Sequence, residues 1–343
     1  MSFDLAQDVA DGERSRTISD FGIQISSLNF FMKKINIKSI HLASPRGFCA
    51  GVERAVDILD KVLERFGPPV YSRHAIVHNR RVVSDFEKKG AIFIEDINKI
   101  PDGSRVVFSA HGSPPNFYKL AKKKKFKLFD AMCPLVLKVH IEAKKYETDG
   151  YFIFYIGHKG HPEPEGVMGN VNRNSIVLIE TVKEASKIKP PQEDKIIVLT
   201  QTTLSFDDTK KVIEKLKSRF PKLITPPAFD ICYATQNRQT AVKSLAKKVD
   251  MVLVVGSPAS SNSNRLREVA EKEGKIAHMI DDVAAIKDSW FEGVLNVGIT
   301  AGASSPENLI NEVIKHIKNN YTKIYEEHVI REKVYFPRPK NLN

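Results

Sequence analysis

The chain has 343 residues, 42% hydrophobic and 27% charged, with 53 Lys+Arg against 41 Asp+Glu and three cysteines. Such a length suits two or three domains, and such a composition excludes disordered, collagen-like and fibrous chains. Three cysteines cannot build a disulfide scaffold, and a formal charge of +12 leaves open a lysine-rich solvated surface, a nucleic-acid partner or a small anionic substrate.

Residues 1–31 carry Asp4, Asp8, Asp11 and Glu13 where a secretory signal is positive, and no long apolar stretch follows. They read as an extension upstream of Met32, and residues 1–37 together as an N-terminal extension expected to be poorly ordered. Ser39 to Ser44 then reads as a strand, Val52 to Phe66 as an amphipathic helix stopped by Gly67-Pro68-Pro69, Pro69 to Tyr71 as a strand, and Asn79 to Lys89 as a helix closed by Gly90. Strands follow at Ala91 to Ile94 and Arg105 to Ser109, a helix at Pro115 to Lys124, a strand at Lys127 to Asp130 and a helix at Leu135 to Thr148.

Further strands are expected at Tyr151 to Ile156, Ser175 to Ile179 and Lys195 to Leu199, and a helix at Phe206 to Phe220. The last third reads as strand Met251 to Val255, helix Asn264 to Glu273, strands Ile276 to Ile280 and Val294 to Ile299, and helix Pro306 to Asn319. Val- and Ile-rich strands with little alternation are buried on both faces, which points to parallel sheets covered by helices and an α/β fold. The longest apolar runs are strand length, so no membrane span is expected and the address reads as the reducing cytoplasm. The run Lys122 to Lys125 has no interleaved aromatics and reads as an exposed helix end rather than a nucleic-acid patch.

Cys49, Cys133 and Cys232 fall one to each third of the chain, and each ends a polar turn and opens a helix-like segment. Three unrelated buried thiols would be the plain reading. A helix N-terminus, however, favours the thiolate that binds metal. No CxxC pair exists, so zinc-finger and ferredoxin patterns are excluded. Two metal readings stay open: a [4Fe–4S] cluster with one iron free of protein, and a zinc site of three sulfurs with an open position.

His78, His111 and His161 all follow expected strands, where open α/β sheets bind ligands. Hydroxyl-rich turns follow three other strands, at Thr200 to Ser205, Ser257 to Asn264 and Thr300 to Glu307. Ordinary helix capping needs one or two such residues. Ser260 to Asn264 offers five, enough for a phosphate cradle at a helix N-terminus. GxxxxGK[ST] and strand-borne GxGxxG motifs are absent, which leaves ATP and dinucleotide sites without support. Glu163, in a turn stiffened by Pro162 and Pro164, is the candidate proton donor, with Glu165 as its competitor.

Together these segments resemble one family, the 4-hydroxy-3-methylbut-2-enyl diphosphate reductases (LytB/IspH). The resemblance rests on Pro45-Arg46-Gly47-Phe48-Cys49-Ala50-Gly51-Val52, Val77-His78-Asn79-Arg80, Phe108-Ser109-Ala110-His111-Gly112, Cys133-Pro134-Leu135-Val136, Gly157-His158-Lys159-Gly160-His161-Pro162-Glu163, Thr200-Gln201-Thr202-Thr203-Leu204-Ser205, Asp230-Ile231-Cys232-Tyr233-Ala234-Thr235, Ser260-Ser261-Asn262-Ser263-Asn264 and Thr300-Ala301-Gly302-Ala303-Ser304. These run in family order from about residue 38 to about 320, and Met132 stands where the family has a threonine.

The resemblance implies a cloverleaf of three similar small α/β domains, with mainly parallel sheets, around a central [4Fe–4S] cluster. In this chain they would be residues 38–132, 133–229 and 230–325, with a C-terminal tail at 326–343. It implies Cys49, Cys133 and Cys232 as cluster ligands. His78, His111, His161 and Thr203 would line a diphosphate pocket with Ser260, Ser261, Asn262 and Ser304. Glu163 would supply the proton, helped by Thr202 and His161. The implied reaction is reductive dehydration of the allylic alcohol to isopentenyl and dimethylallyl diphosphate, the last step of the methylerythritol phosphate route, with the substrate hydroxyl at the open iron. The implied electron donor is a ferredoxin or flavodoxin, and neither nucleic acid nor membrane is an expected partner. A zinc-dependent hydrolase and a basic RNA-binding protein are the rival classes.

Overall fold

The computed structural model describes residues 36–226 and 230–342; most of the expected N-terminal extension and the junction expected at 229/230 lie outside the described residues. In chain order the first elements are β1 (Ser39–Ser44), α1 (Ala50–Phe66), β2 (Val70–Arg73), α2 (Arg80–Lys88), β3 (Ala91–Ile94), β4 (Arg105–Phe108), α3 (Pro115–Lys123) and β5 (Lys127–Asp130). The middle holds α4 (Pro134–Thr148), β6 (Phe152–Ile156), α5 (Pro162–Met168), β7 (Ile176–Ile179), α6 (Val182–Lys187), β8 (Ile196–Thr200) and α7 (Phe206–Arg219). The last part holds α8 (Tyr233–Ala246), β9 (Met251–Val255), α9 (Ser261–Lys272), β10 (Ile276–Ile280), β11 (Asn296–Ala301), α10 (Glu307–Ile317) and β12 (Lys323–His328).

The strands form three small sheets, ordered β3-β2-β4-β5, β7-β6-β8 and β10-β9-β11-β1-β12, and every strand pair in them is parallel. The expected α/β class with three small parallel sheets is therefore what the chain adopts. The β6, β8 and β9 strands are buried along their whole length, as an apolar run covered on both faces must be. Helix α1 shows the matching logic: Ala55, Ile58, Leu59, Val62 and Leu63, at helical spacing, pack on Val70, Val107 and Phe129 of the first sheet. The five-stranded sheet is covered on both sides. Leu309, Ile310 and Val313 of α10 lie on one face, and Ala241, Val242 and Leu245 of α8 with Leu266 of α9 on the other.

Four sequence expectations change. The first strand does not join the sheet that follows it. Instead β1 lies between β11 and β12, with Ile40 opposite Val297 and Ile324. An apolar run announces burial on both faces but not its partner. Here Ile40 and Leu42 fill the core under α10 while Ala43 faces α8. Ile37, expected in the extension, is 1% exposed in that same core.

The tail is not free either. Glu326 to His328 complete β12, whose polar sequence reads poorly as a strand because it is an exposed sheet edge. Residues 329–342 then cross to the first sheet. There Arg338 pairs with Asp57 (Nη2–Oδ1 2.7 Å), and Leu342 is buried among the α1 side chains. Finally, the segment around Glu163 is the short helix α5 rather than a turn. Pro162 and Pro164 fall in its first turn, where no intrahelical N–H is needed. Among the described residues no helix is long and apolar enough to cross a membrane.

Candidate active site

The carboxyl ends of the three sheets meet. Cys49, His78, His111, Cys133, His161 and Thr202 each follow a strand end, and all line one cavity. Glu163, Thr203, Cys232, Ser260, Ser261, Asn262 and Ser304 line the same cavity, so the structure brings every candidate site residue to one place.

The cysteines arrive by one device used three times. Cys49, Cys133 and Cys232 are the N-caps of α1, α4 and α8. All three are unpaired thiols. Burial, reinforced by the neighbouring Cys49, pushes Cys133 up to about 12 and Cys232 up to about 11. Left alone these thiols resist ionisation, and a cationic partner at their centre would reverse that. Gly51 leaves the room between two of them: a Cβ there would stand 2.6 Å from the Cys133 Sγ and 3.9 Å from the Cys49 Sγ. Among the described residues no three His, Cys, Asp or Glu side chains are grouped so as to hold a metal ion. The thiols surround a space instead. That arrangement, with soft donors from three separate turns, fits a polynuclear iron–sulfur group, in which each thiolate takes its own iron.

The histidines form a cluster. The ring centroid of His78 lies 4.1 Å from that of His111 and 5.1 Å from that of His161. Burial lowers His78 to about 4 and His161 to about 3, and burial with the neighbouring imidazoles of His78, His161 and His74 holds His111 well below its usual range. At neutral pH the cluster is therefore three uncharged imidazoles, each able to donate one N–H.

Glu163 is 2% exposed. Its Oε1 accepts from the Thr202 backbone N–H at 2.7 Å and its Oε2 from the Thr202 hydroxyl at 3.1 Å. Burial raises it to about 7 against these two bonds, which leaves it poised to give or take a proton near neutrality. Glu165, its competitor, faces away from the cavity. It is bound by Arg73 at 2.6 Å, and the nearby His74 imidazole, 3.8 Å away, together with the Arg73 charge keeps it below the usual carboxylate range.

The hydroxyl turns stitch the sheets together at the rim. Ser260 caps α9 by accepting from the Ser263 N–H. Asn262 accepts from the Ala303 N–H at 2.8 Å and donates to the Thr235 hydroxyl at 3.3 Å. The Ser304 hydroxyl donates to the His78 carbonyl at 3.0 Å, that of Ser261 to the Thr203 carbonyl at 3.1 Å, and Gln201 donates to the Thr203 hydroxyl at 2.9 Å.

Sequence reasoning missed several supports. Thr235 lies 3.2 Å from the Cys232 Sγ through its hydroxyl, and its N–H donates to that sulfur. Its position three residues after a capping residue was the available signal. Arg238, 1% exposed, donates to the Gly47 carbonyl at 2.8 Å and the Phe48 carbonyl at 3.2 Å, and pairs with Glu332 at 3.1 Å. It thus ties the Cys49 turn to the Cys232 helix and to the C-terminal segment. Arg54 does the same for Cys133, donating to the Met132 carbonyl at 3.0 Å and the Pro337 carbonyl at 2.8 Å.

A family model described as "LytB protein" matches residues 40–318. A relative from Polaromonas sp. (strain JS666 / ATCC BAA-500), named 4-hydroxy-3-methylbut-2-enyl diphosphate reductase, is 50% identical over 307 residues, 89% of this chain and 92% of that one. The solved E-1-hydroxy-2-methyl-but-2-enyl-4-diphosphate reductase from Plasmodium falciparum superposes with a TM-score of 0.85 at 37% identity, over 89% of this chain and 97% of that one. A second solved structure, named (E)-4-hydroxy-3-methyl-but-2-enyl diphosphate reductase, the terminal enzyme of the non-mevalonate pathway, superposes at 0.60 with 31% identity, covering 82% of this chain and 99% of that one. With the matched residues spanning the cavity and all three sheets, the chain belongs to the LytB family.

Proposed function

We propose that this cavity is the active site of a 4-hydroxy-3-methylbut-2-enyl diphosphate reductase, in which Cys49, Cys133 and Cys232 hold a [4Fe–4S] cluster and the histidine and hydroxyl rim holds the diphosphate. The reaction removes the allylic hydroxyl as water, adds two electrons and one further proton, and yields isopentenyl and dimethylallyl diphosphate. The cluster, when bound, supplies the electrons and a Lewis acid for the hydroxyl oxygen.

The chain's own groups account for the rest. His78, His111 and His161 present uncharged N–H donors to the diphosphate. Ser260, Asn262 and the amino end of α9 add hydroxyl, amide and backbone donors, with Ser261, Thr203 and Ser304 beside them. Holding a multiply charged anion with oriented neutral dipoles keeps the cavity closed to water without crowding it with cations. Glu163 gives its proton to the departing hydroxyl. Thr202 fixes both carboxyl oxygens, so the proton leaves in one direction, and His161 stands beside it to relay another. The observation that carries the reading is the pairing of three helix-capping thiols with a protonatable buried carboxyl in one cavity.

Anaerobically reconstituted protein is expected to contain iron and acid-labile sulfide, and to consume the hydroxylated diphosphate with a chemical reductant while both products form. Colourless protein carrying stoichiometric zinc, or reconstituted protein inert toward that substrate, would overturn the proposal. The physiological electron donor is proposed to be a small acidic redox protein of the ferredoxin or flavodoxin kind, in keeping with the chain's net charge of +12.

A further inference from the structure

Glu163 and two of the three diphosphate histidines, His78 and His111, stand on different sheets, each sheet with its helices forming one unit, and one ion-pair cluster joins those two units. His78 and His111 follow strands of the first sheet, whereas His161 caps α5, which carries Glu163 in the second unit. Arg73 ends β2 in the first sheet and its side chain is only 4% exposed. Its Nη2 donates to the Glu165 Oε1 at 2.6 Å, and its guanidinium lies 3.8 Å over the Phe117 ring and 3.3 Å from the Ser113 hydroxyl. Glu165 is its single acidic partner among the described residues. The next residue, His74, has a left-handed backbone (φ 60°), pairs with Glu95 through Nδ1, and places Nε2 3.8 Å from the Glu165 Oε2. A left-handed non-glycine residue persists where its surroundings over-determine it.

Residues two apart on a helix point roughly 200° apart. Glu163 therefore faces the cavity while Glu165 faces the first unit. The contact between the two units is close. A Cβ at Gly169, the C-cap of α5, would stand 2.3 Å from the Pro114 Cβ, and one at Gly166 would stand 3.6 Å from the Gly112 carbonyl carbon. A helix of seven residues with two prolines has few intrahelical bonds of its own, so its orientation depends on what grips it.

We infer that Glu165 is a positioning residue: gripped by Arg73, with His74 beside it, it docks α5 on the first unit and so sets the aim of Glu163 and the place of His161 in the histidine cluster. The inference rests on the reductase reading for its kinetic consequence, but not for its structural one.

Reconstituted Glu165→Gln enzyme, assayed with a chemical reductant, should lose at least tenfold in kcat with less than threefold change in KM, because the other diphosphate donors stand on other elements. An Arg73→Met/Glu165→Gln double variant removes the stranded buried cation along with its partner. It should regain the thermal midpoint without regaining kcat. In metal-free protein labelled with ¹⁵N-histidine, the wild-type His161 should show the tautomer with Nε2 protonated, and Glu165→Gln should shift or broaden that signal. A variant with wild-type kcat and an unmoved His161 signal overturns the inference, as does a double variant that recovers kcat together with stability. If the wild-type enzyme has no reductase activity while the His161 signal still depends on Glu165, the reductase reading fails and the positioning role stands.

Discussion

The Nδ1 of His161 accepts a hydrogen bond from the backbone N–H of Glu163 at 3.1 Å. This bond caps α5 and also settles chemistry. With Nδ1 used as an acceptor, the neutral ring carries its proton on Nε2. One contact between neighbours in sequence thus starts the helix that carries the buried acid and decides which nitrogen of His161 can donate.

Glu163→Gln keeps the size of the side chain and both Thr202 contacts nearby, but removes the transferable proton. The variant is expected to load iron and sulfide like the wild type and to lose 10²–10⁴-fold in kcat, the usual range for a general acid. Single-turnover kinetics checks this, and turnover within a fewfold of wild type would take Glu163 out of the proton path.

Cys49→Ser, Cys133→Ser and Cys232→Ser, each alone, exchange a soft donor for a hard one. Each is expected to fold, to retain less iron and sulfide after reconstitution, and to lose turnover. Iron and sulfide counting alongside the assay checks this, and any one variant that stays fully active would return its cysteine to a packing role.

Gly51→Ala tests the space between the thiols. An added methyl in a helix is ordinarily stabilising by about 1 kcal/mol. Here it would meet the Cys133 Sγ at 2.6 Å. The expected outcome is a metal-free protein that melts no lower than wild type and a cluster that fails to assemble. Normal cluster loading in this variant would mean that Cys133 can move aside freely.

The histidines should stay uncharged when an anion binds, since burial holds His78 at about 4 and His161 at about 3, far below neutrality. Ring ¹⁵N chemical shifts recorded at pH 7 with and without pyrophosphate should keep the neutral pattern. Imidazolium shifts in the bound state would mean that the diphosphate is held by charge rather than by neutral donors.

The same groups set the pH dependence of stability. Unfolded histidines titrate near 6.5, so between that value and about 4 the unfolded chain binds more protons than the fold does at His78 and His161, and stability rises with pH. Glu163 has the opposite sign. Its folded value is raised from 4.5 to about 7, so its contribution is present below 4.5 and is lost as pH rises through 7. Glu163→Gln should therefore stabilise the metal-free protein over the wild type at pH 8, by on the order of 1–3 kcal/mol, and not at pH 4.5. Thermal melts at the two pH values check the sign.

Much of the site is legible in the order of the residues alone. The residue types lie in loops after apolar strands, and in parallel sheets those loops gather at one edge. The cysteine-opened helices are legible for the same local reason, since a cap is a property of a few adjacent residues. The supports are not, because they bridge long separations. Arg238 reaches the Gly47 carbonyl across 191 residues, and Arg54 reaches Pro337 across 283. Nothing in the local pattern of either arginine distinguishes it from a surface charge.

By itself the sequence determined the alternation of apolar strands with capped helices and the set of thiol, imidazole, hydroxyl and carboxyl groups the chain can bring to bear. Those follow from side-chain chemistry and near-neighbour geometry. The tertiary structure decided which strand joins which sheet, placing β1 between β11 and β12. It also decided which of two nearby glutamates is the buried acid. Glu163 meets Thr202, 39 residues away, buried beside the cavity, while Glu165 meets Arg73 outside it. Desolvation and ion pairing depend on surroundings assembled from distant parts of the chain, so two carboxyls two residues apart acquire opposite proton affinities.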